Sequence, residues 1–358
     1  MPTDSEAVAA RRILRLALGT AMALAFSQAI AWPLSFIAPV LAIGLLGVPL
    51  PRFPFANAVK FALAMIVPLY LALGLLPVLL DYPLAGVLLL TLALFHCFFV
   101  ASSGGAAMLS TMATMGITVT VAVGSVSIDA VLAVANGVAI GAVVGLGFVW
   151  LAHRLLPDLA PPPAQAPAKP EPPPRHVAVR SALRSVAIVL PVALWFLLSS
   201  ASASYVAVMI KVASMGQEVS RSGTRAAGRS LLASTAAGGI AAVVGWQVLR
   251  IWPSLFVYVA FVAVAALVFG RHTFSGLGLT KHGATWSYGL LTMLIILAPA
   301  VTDSMSGAPA GAKFFDRLWM LAGATVYAVA AVFAFDAVWP ARAGDDQKPN
   351  LNESTAPP

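Results

Sequence analysis

Long apolar runs separated by short polar breaks dominate this chain. The runs lie near residues 13–31, 34–48, 58–79, 84–101, 106–123 and 130–152, and again near 181–199, 203–216, 226–249, 253–269, 284–301 and 315–338. Most hold about 20 residues, the length a helix needs to cross a bilayer core of about 30 Å. The pattern predicts an all-α polytopic membrane protein with about twelve transmembrane helices. Several runs are interrupted: Pro39, Gly44 and Gly47 break the second, and Pro68 and Pro77 mark the third. Residues 157–179 read as a Pro-rich linker whose prolines forbid helix and favour an extended spacer. Residues 341–358 are polar and predicted to be a disordered tail.

The two sets of runs look like copies. RRILRLALGTAMALAF resembles AVRSALRSVAIVLPVALWF, which sets Arg15 against Arg184, and the same spacing sets Lys60 against Arg229. Leu155-Leu156-Pro157 closes the first set as Val338-Trp339-Pro340 closes the second. The expected organisation is a first six-span repeat at 1–156 and a second at 180–340. Six spans per repeat is an even number, so both copies face the same way, related by an axis along the membrane normal.

Composition agrees with the runs: of 358 residues, 60% are hydrophobic and 9% charged, with a net charge of +8. No basic patch is interleaved with exposed aromatics, so nucleic acid is not an expected partner. With the N-terminus inside, most Lys and Arg fall in cytoplasmic segments, whereas Arg250, Lys313 and Arg317 fall outside; this bias orients both termini to the cytoplasm. Arg11, Arg12 and Arg15 before an apolar core and Ala29-Ile30-Ala31 mimic a signal peptide. A similar segment at Val179–Ser199 recurs mid-chain, which argues for a retained span. The single cysteine, Cys97, gives no disulfide framework.

Candidate chemistry is sparse, and no cofactor, metal set or enzymatic motif is apparent. Gly223–Ser230 mimics a phosphate loop but precedes a membrane helix rather than following a strand. The basic stripe Arg221, Arg225 and Arg229 leads into the ninth run at four-residue spacing, one face of a helix. Lys211 sits inside a short run, and Glu218 lies two helical turns beyond it. Ionisable groups in a span are costly and mark pathways by default. The candidate anion-binding residues are therefore Lys60, Lys211, Arg225 and Arg229, with membrane lipids the competing partner of the arginines. Glu218 and His96, the latter in LFHCFF, are candidates for proton coupling. Gly137, Gly141 and Gly145 form a helix-contact face. Ser102-Ser103-Gly104-Gly105 reads as a re-entrant turn or a tight loop, and Asp336 as a proton site or an interfacial acid. Trp32, Trp150, Trp246, Trp252 and Trp339 read as an interfacial belt.

The duplicated layout and SRSGTRAAGRSLLASTAAGGIAAVVGW resemble the fusaric-acid-resistance superfamily. That group includes aromatic-acid exporters and, more distantly, aluminium-activated malate channels. RLALGTAMALAFSQAIAWPLSFIAPVLAIGLL resembles its compact inner-membrane branch. The resemblance implies a bacterial inner-membrane efflux subunit for small organic, often aromatic, anions. It also implies work with a periplasmic adaptor (membrane-fusion) protein and an outer-membrane channel. Nothing in the chain could hydrolyse ATP, so export would use an ion gradient or a partner, and the gradient-driven route is the leading expectation. Larger relatives carry a cytoplasmic domain where this chain has its linker.

Two other classes fit the same runs. A major-facilitator-like carrier also has six plus six spans, but the loop after the second span, GVPLPRFPFANAVK, lacks that group's GxxxD-R-x-G-R-like pattern. A non-transporting scaffold for an adaptor protein would bind its partner and move no anion.

Overall fold

A computed structural model describes residues 4–32, 34–49, 55–105, 107–124, 128–159, 173–198, 211–213, 215, 224–276, 278–305 and 310–340. The helices are α1 (Asp4–Ile30), α2 (Ile37–Leu46), α3 (Phe55–Leu73), α4 (Leu75–Asp81), α5 (Pro83–Ser102), α6 (Ala107–Gly124) and α7 (Ile128–Leu155). They continue as α8 (Arg175–Leu198), α9 (Thr224–Ile251), α10 (Leu255–Thr273), α11 (Gly283–Met305) and α12 (Ala310–Val338). Residues 211–213 and 215 are also helical. One two-stranded antiparallel hairpin, β1 (Phe274–Ser275) and β2 (Gly278–Leu279), turns through Gly276 at φ +55° between α10 and α11.

Among the described residues, nine helical segments are long and apolar enough to cross a membrane, with α3 and α4 contributing one of them together. The architecture is thus all-α and polytopic. One expected span is shorter. α2 has 10 residues, about 15 Å at 1.5 Å per residue, half of a bilayer core. Yet nine of its residues are buried, so it is a short helix enclosed by protein. α6, with 18 residues, covers the run expected at 106–123. Of the 203–216 run, only residues 211–213 and 215 lie within the described residues. α8 starts at Arg175, inside the stretch expected to be linker, with Pro174 accepting the amides of Val177 and Ala178.

Small residues set the closest helix contacts. On α7, a Cβ added at Gly141 would lie 2.8 Å from the Cβ of Ile37, and one at Gly145 would lie 2.8 Å from the Ala38 carbonyl oxygen. The GxxxG face therefore seats α2, as expected of such a face. Gly104, at φ 78°, ends the tight turn between α5 and α6. Trp246 departs from the expected belt: it is buried and stacks on Phe314 with centroids 5.2 Å apart. Its neighbour in the contact comes from α12, so packing between helices claims the indole.

The packing partners recur in a pattern. α3 packs on α6 and α9 on α11; α1 packs on α10 and α8 on α5. α1 meets α7 and α8 meets α12; α3 meets α7 and α9 meets α12. α2 also contacts α11. Arginines fix the ends of two of these pairs. Arg11 donates to the Pro157 carbonyl at 3.1 Å, and Arg15, buried, pairs with Asp158 at 2.9 Å. Arg180 donates to the Trp339 carbonyl at 2.9 Å and pairs with Asp336 at 2.5 Å; Arg184, buried, lies 3.7 Å from the same carboxylate. Each arginine pair is one turn apart on its helix, and its first member meets a carbonyl just past the end of α7 or α12. These side chains, counted from the sequence among the cytoplasmic charges, serve as clamps on the ends of α7 and α12. At the opposite end of α12, Arg317 is buried and pairs with Asp303 of α11 at 2.7 Å.

Candidate substrate site

The site is built on α11 and the helical residues 211–213 that hold Lys211. α9 and α11 approach closely because Gly238 and Gly289 face each other: a Cβ on Gly238 would clash with the Gly289 carbonyl and lie 2.7 Å from the Cβ of Thr292. Tyr288 and Thr292 are four residues apart and share a face of α11. Thr292 donates its hydroxyl to the Tyr288 carbonyl at 2.7 Å. That bond leaves the Thr292 oxygen's lone pairs for an outside donor.

Lys211 is that donor. Its side chain is fully buried, and Nζ donates to Thr292 Oγ1. The same Nζ lies 3.0 Å from the centroid of the Tyr288 ring. A cation held over a desolvated ring gains about 2 kcal/mol or more, and a hydrogen bond to a charged group about 1.5–3 kcal/mol. Taking an ammonium out of water costs several kcal/mol, so these contacts roughly balance the burial. The cation is held in place without a large net gain in stability. Thr292 lies nine residues from the start of the 23-residue α11, about 14 Å along the axis. That depth is near the middle of a bilayer core.

The other expected residues stand elsewhere. Lys60 is exposed on the first turns of α3, and Arg229 is exposed on the first turns of α9. α3 and α9 are not principal packing partners, and neither basic side chain meets Lys211. His96 is exposed on α5. Arg225 lies in the first turn of α9, with its side chain outside the described residues, as is the whole of Glu218. Asp336 is held by Arg180 and Arg184, which accounts for it as an interhelical ion pair. Among the described residues, no three His, Cys, Asp or Glu side chains converge.

Tyr288 and Thr292 were not singled out from the sequence. Their signal was present, as a Tyr and a Thr at i, i+4 spacing in an otherwise apolar run, but it needs the position of Lys211 to acquire meaning. A second polar stripe, Ser110, Thr114 and Thr118, runs down α6. Thr114 and Thr118 donate to carbonyls one turn back, and Ser110 donates to the Cys97 carbonyl of α5. The stripe is thus spent on helix backbone.

Residues 12–152 match a family model described as "Protein of unknown function (DUF2955)". The match runs from α1 into the last turn of α7 and leaves out the helices that carry the Lys211 site. No curated protein and no solved structure matches the chain.

Proposed function

We propose that this chain is an inner-membrane efflux subunit that exports small organic anions, aromatic carboxylates among them, down a path between two six-helix repeats. The observation that carries the reading is Lys211: a cation wholly buried at mid-helix depth, over an aromatic ring and beside a hydroxyl. An intramembrane charge is a functional site by default, and binding near the midplane is the pattern of carriers built from repeats. The Lys211 ammonium would meet the carboxylate, Thr292 would donate or accept a hydrogen bond, and Tyr288 would face an aromatic ring.

The repeat reading is supported by the packing. If α1 to α7 is one copy and α8 to α12 with the Lys211 segment is the other, the pairs of the first copy that do not involve α2 have their counterparts in the second. The two arginine clamps then correspond: Arg11 to Arg180, Arg15 to Arg184. The contacts of α1 on α10 and α8 on α5 become one interface seen twice. The Lys211 segment would then be the counterpart of α2, with Ala42 at the matching position, so this buried ammonium would stand in the second repeat and have no basic counterpart in the first. In this reading there are twelve membrane elements, of which α2 is short.

Lys60, Arg225 and Arg229, at the starts of α3 and α9, would act at a distance, concentrating anions at a cytoplasmic mouth. Glu218 is the proposed coupling carboxylate. His96, exposed on α5, would serve as a proton site only at the surface of the bundle. A periplasmic adaptor and an outer-membrane channel would complete the route. Expression of wild type in cells lacking other exporters should raise tolerance to hydroxylated benzoates or fusaric acid, and Lys211→Met should remove the gain. Full tolerance with Lys211→Met at equal expression would overturn the assignment.

A further inference from the structure

A groove of about 440 Å³ runs along the outside of the bundle between α9 and α12. Leu232, Ala236, Ile240 and Val244 line one wall, and Leu318 and Val326 belong to the other. Thr235 and Thr325 close the floor through a 3.4 Å contact. At its head stands Arg229, exposed and with no hydrogen bond or ion pair to a described residue. Arg229, Leu232, Ala236, Ile240 and Val244 follow at three- and four-residue steps, so they share one face of α9.

We propose that this face is a binding site for one anionic phospholipid, with its phosphate on Arg229 and one acyl chain in the groove. The volume selects the occupant. A methylene takes about the 30 Å³ share of a liquid water molecule, so the groove holds a chain of roughly fifteen carbons. A helix of a second copy, 10–12 Å across, does not fit such a space. The length agrees too: Ile240 lies about 16 Å along the axis from Arg229, the depth of one leaflet. A guanidinium pairs with phosphate through two parallel hydrogen bonds, which an ammonium cannot do. A lipid on Arg229 leaves the attraction of cargo to Lys60 and Arg225.

The test uses the purified full chain, delipidated in a neutral detergent, with thermal unfolding and native mass spectrometry as readouts that need no flux. The probes are dioleoyl phosphatidylglycerol and dioleoyl phosphatidylcholine. Wild type should retain one phosphatidylglycerol and unfold several degrees higher in it than in phosphatidylcholine. Arg229→Gln should abolish that difference, whereas Arg250→Gln, at the other end of α9, should keep it. Ala236→Phe, which fills the groove from an exposed position, should cut lipid retention at least tenfold while leaving the particle monodisperse. An undiminished preference in Arg229→Gln, or full retention in Ala236→Phe, would overturn the site. So would a wild-type dimer that Ala236→Phe splits.

Discussion

Gly238→Ala should damage the substrate site without touching any of its polar groups. The added methyl would press on the Gly289 carbonyl and lie 2.7 Å from the Cβ of Thr292 and 3.0 Å from the Met293 amide nitrogen. Two of these three atoms are backbone, so no side-chain rotation relieves the crowding. Ordinary contact needs about 3.5–4.0 Å, so α9 and α11 must part by on the order of 1 Å. Overpacking of this kind costs about 1–3 kcal/mol, against which the helix-propensity gain of Ala over Gly, about 1 kcal/mol, is a partial offset. The shift also displaces Thr292, which accepts the Lys211 hydrogen bond. Gly147→Ala on α7 is the control, since nothing lies within 4 Å of its would-be Cβ. Thermal unfolding in detergent should show a lower midpoint for Gly238→Ala and an equal or higher one for Gly147→Ala. Equal midpoints for wild type and Gly238→Ala would refute the packing of α9 on α11 and the seat it gives Thr292.

Other perturbations follow from the same geometry. Lys211→Met should change stability by no more than about 2 kcal/mol, because burial and contacts nearly balance, while abolishing anion-dependent thermal stabilisation; unfolding by denaturant with and without hydroxybenzoate checks both halves. Asp303→Ala removes the carboxylate that pairs with the buried Arg317 and should cost about 3–5 kcal/mol, measured as a lower denaturation midpoint, whereas Asp81→Ala at an exposed position should cost little. Tyr70→Phe should cost about 1 kcal/mol by removing the 2.6 Å hydrogen bond to Asn136.

The spans were legible because apolar length is a one-dimensional signal. α5, α7, α10 and α11 fall close to the runs that predicted them, and the GxxxG face of α7 packs as its spacing implied. α2 was harder. Its run is as apolar as the others, and only the packing shows that a ten-residue helix lies enclosed rather than spanning. Charge was legible as a count and not as a role. Arg15, Arg184 and Lys60 look alike in sequence, yet the first two are buried in ion pairs with helix ends and the third is exposed. What separates them is which neighbour arrives from far along the chain, and periodicity carries no such information. Lys211 stood out because a lone ammonium in an apolar run is expensive wherever the run ends up. Its partners Tyr288 and Thr292, some eighty residues away, could not be paired with it from spacing.

Flux through the purified protein is the most direct measurement of the central claim. Proteoliposomes loaded with radiolabelled 4-hydroxybenzoate and given an imposed proton gradient should release label faster with wild type than with empty vesicles, and Lys211→Met should match the empty vesicles while remaining folded. Release by Lys211→Met at the wild-type rate, or no release by wild type under either direction of gradient, would contradict a buried cation serving an anion path.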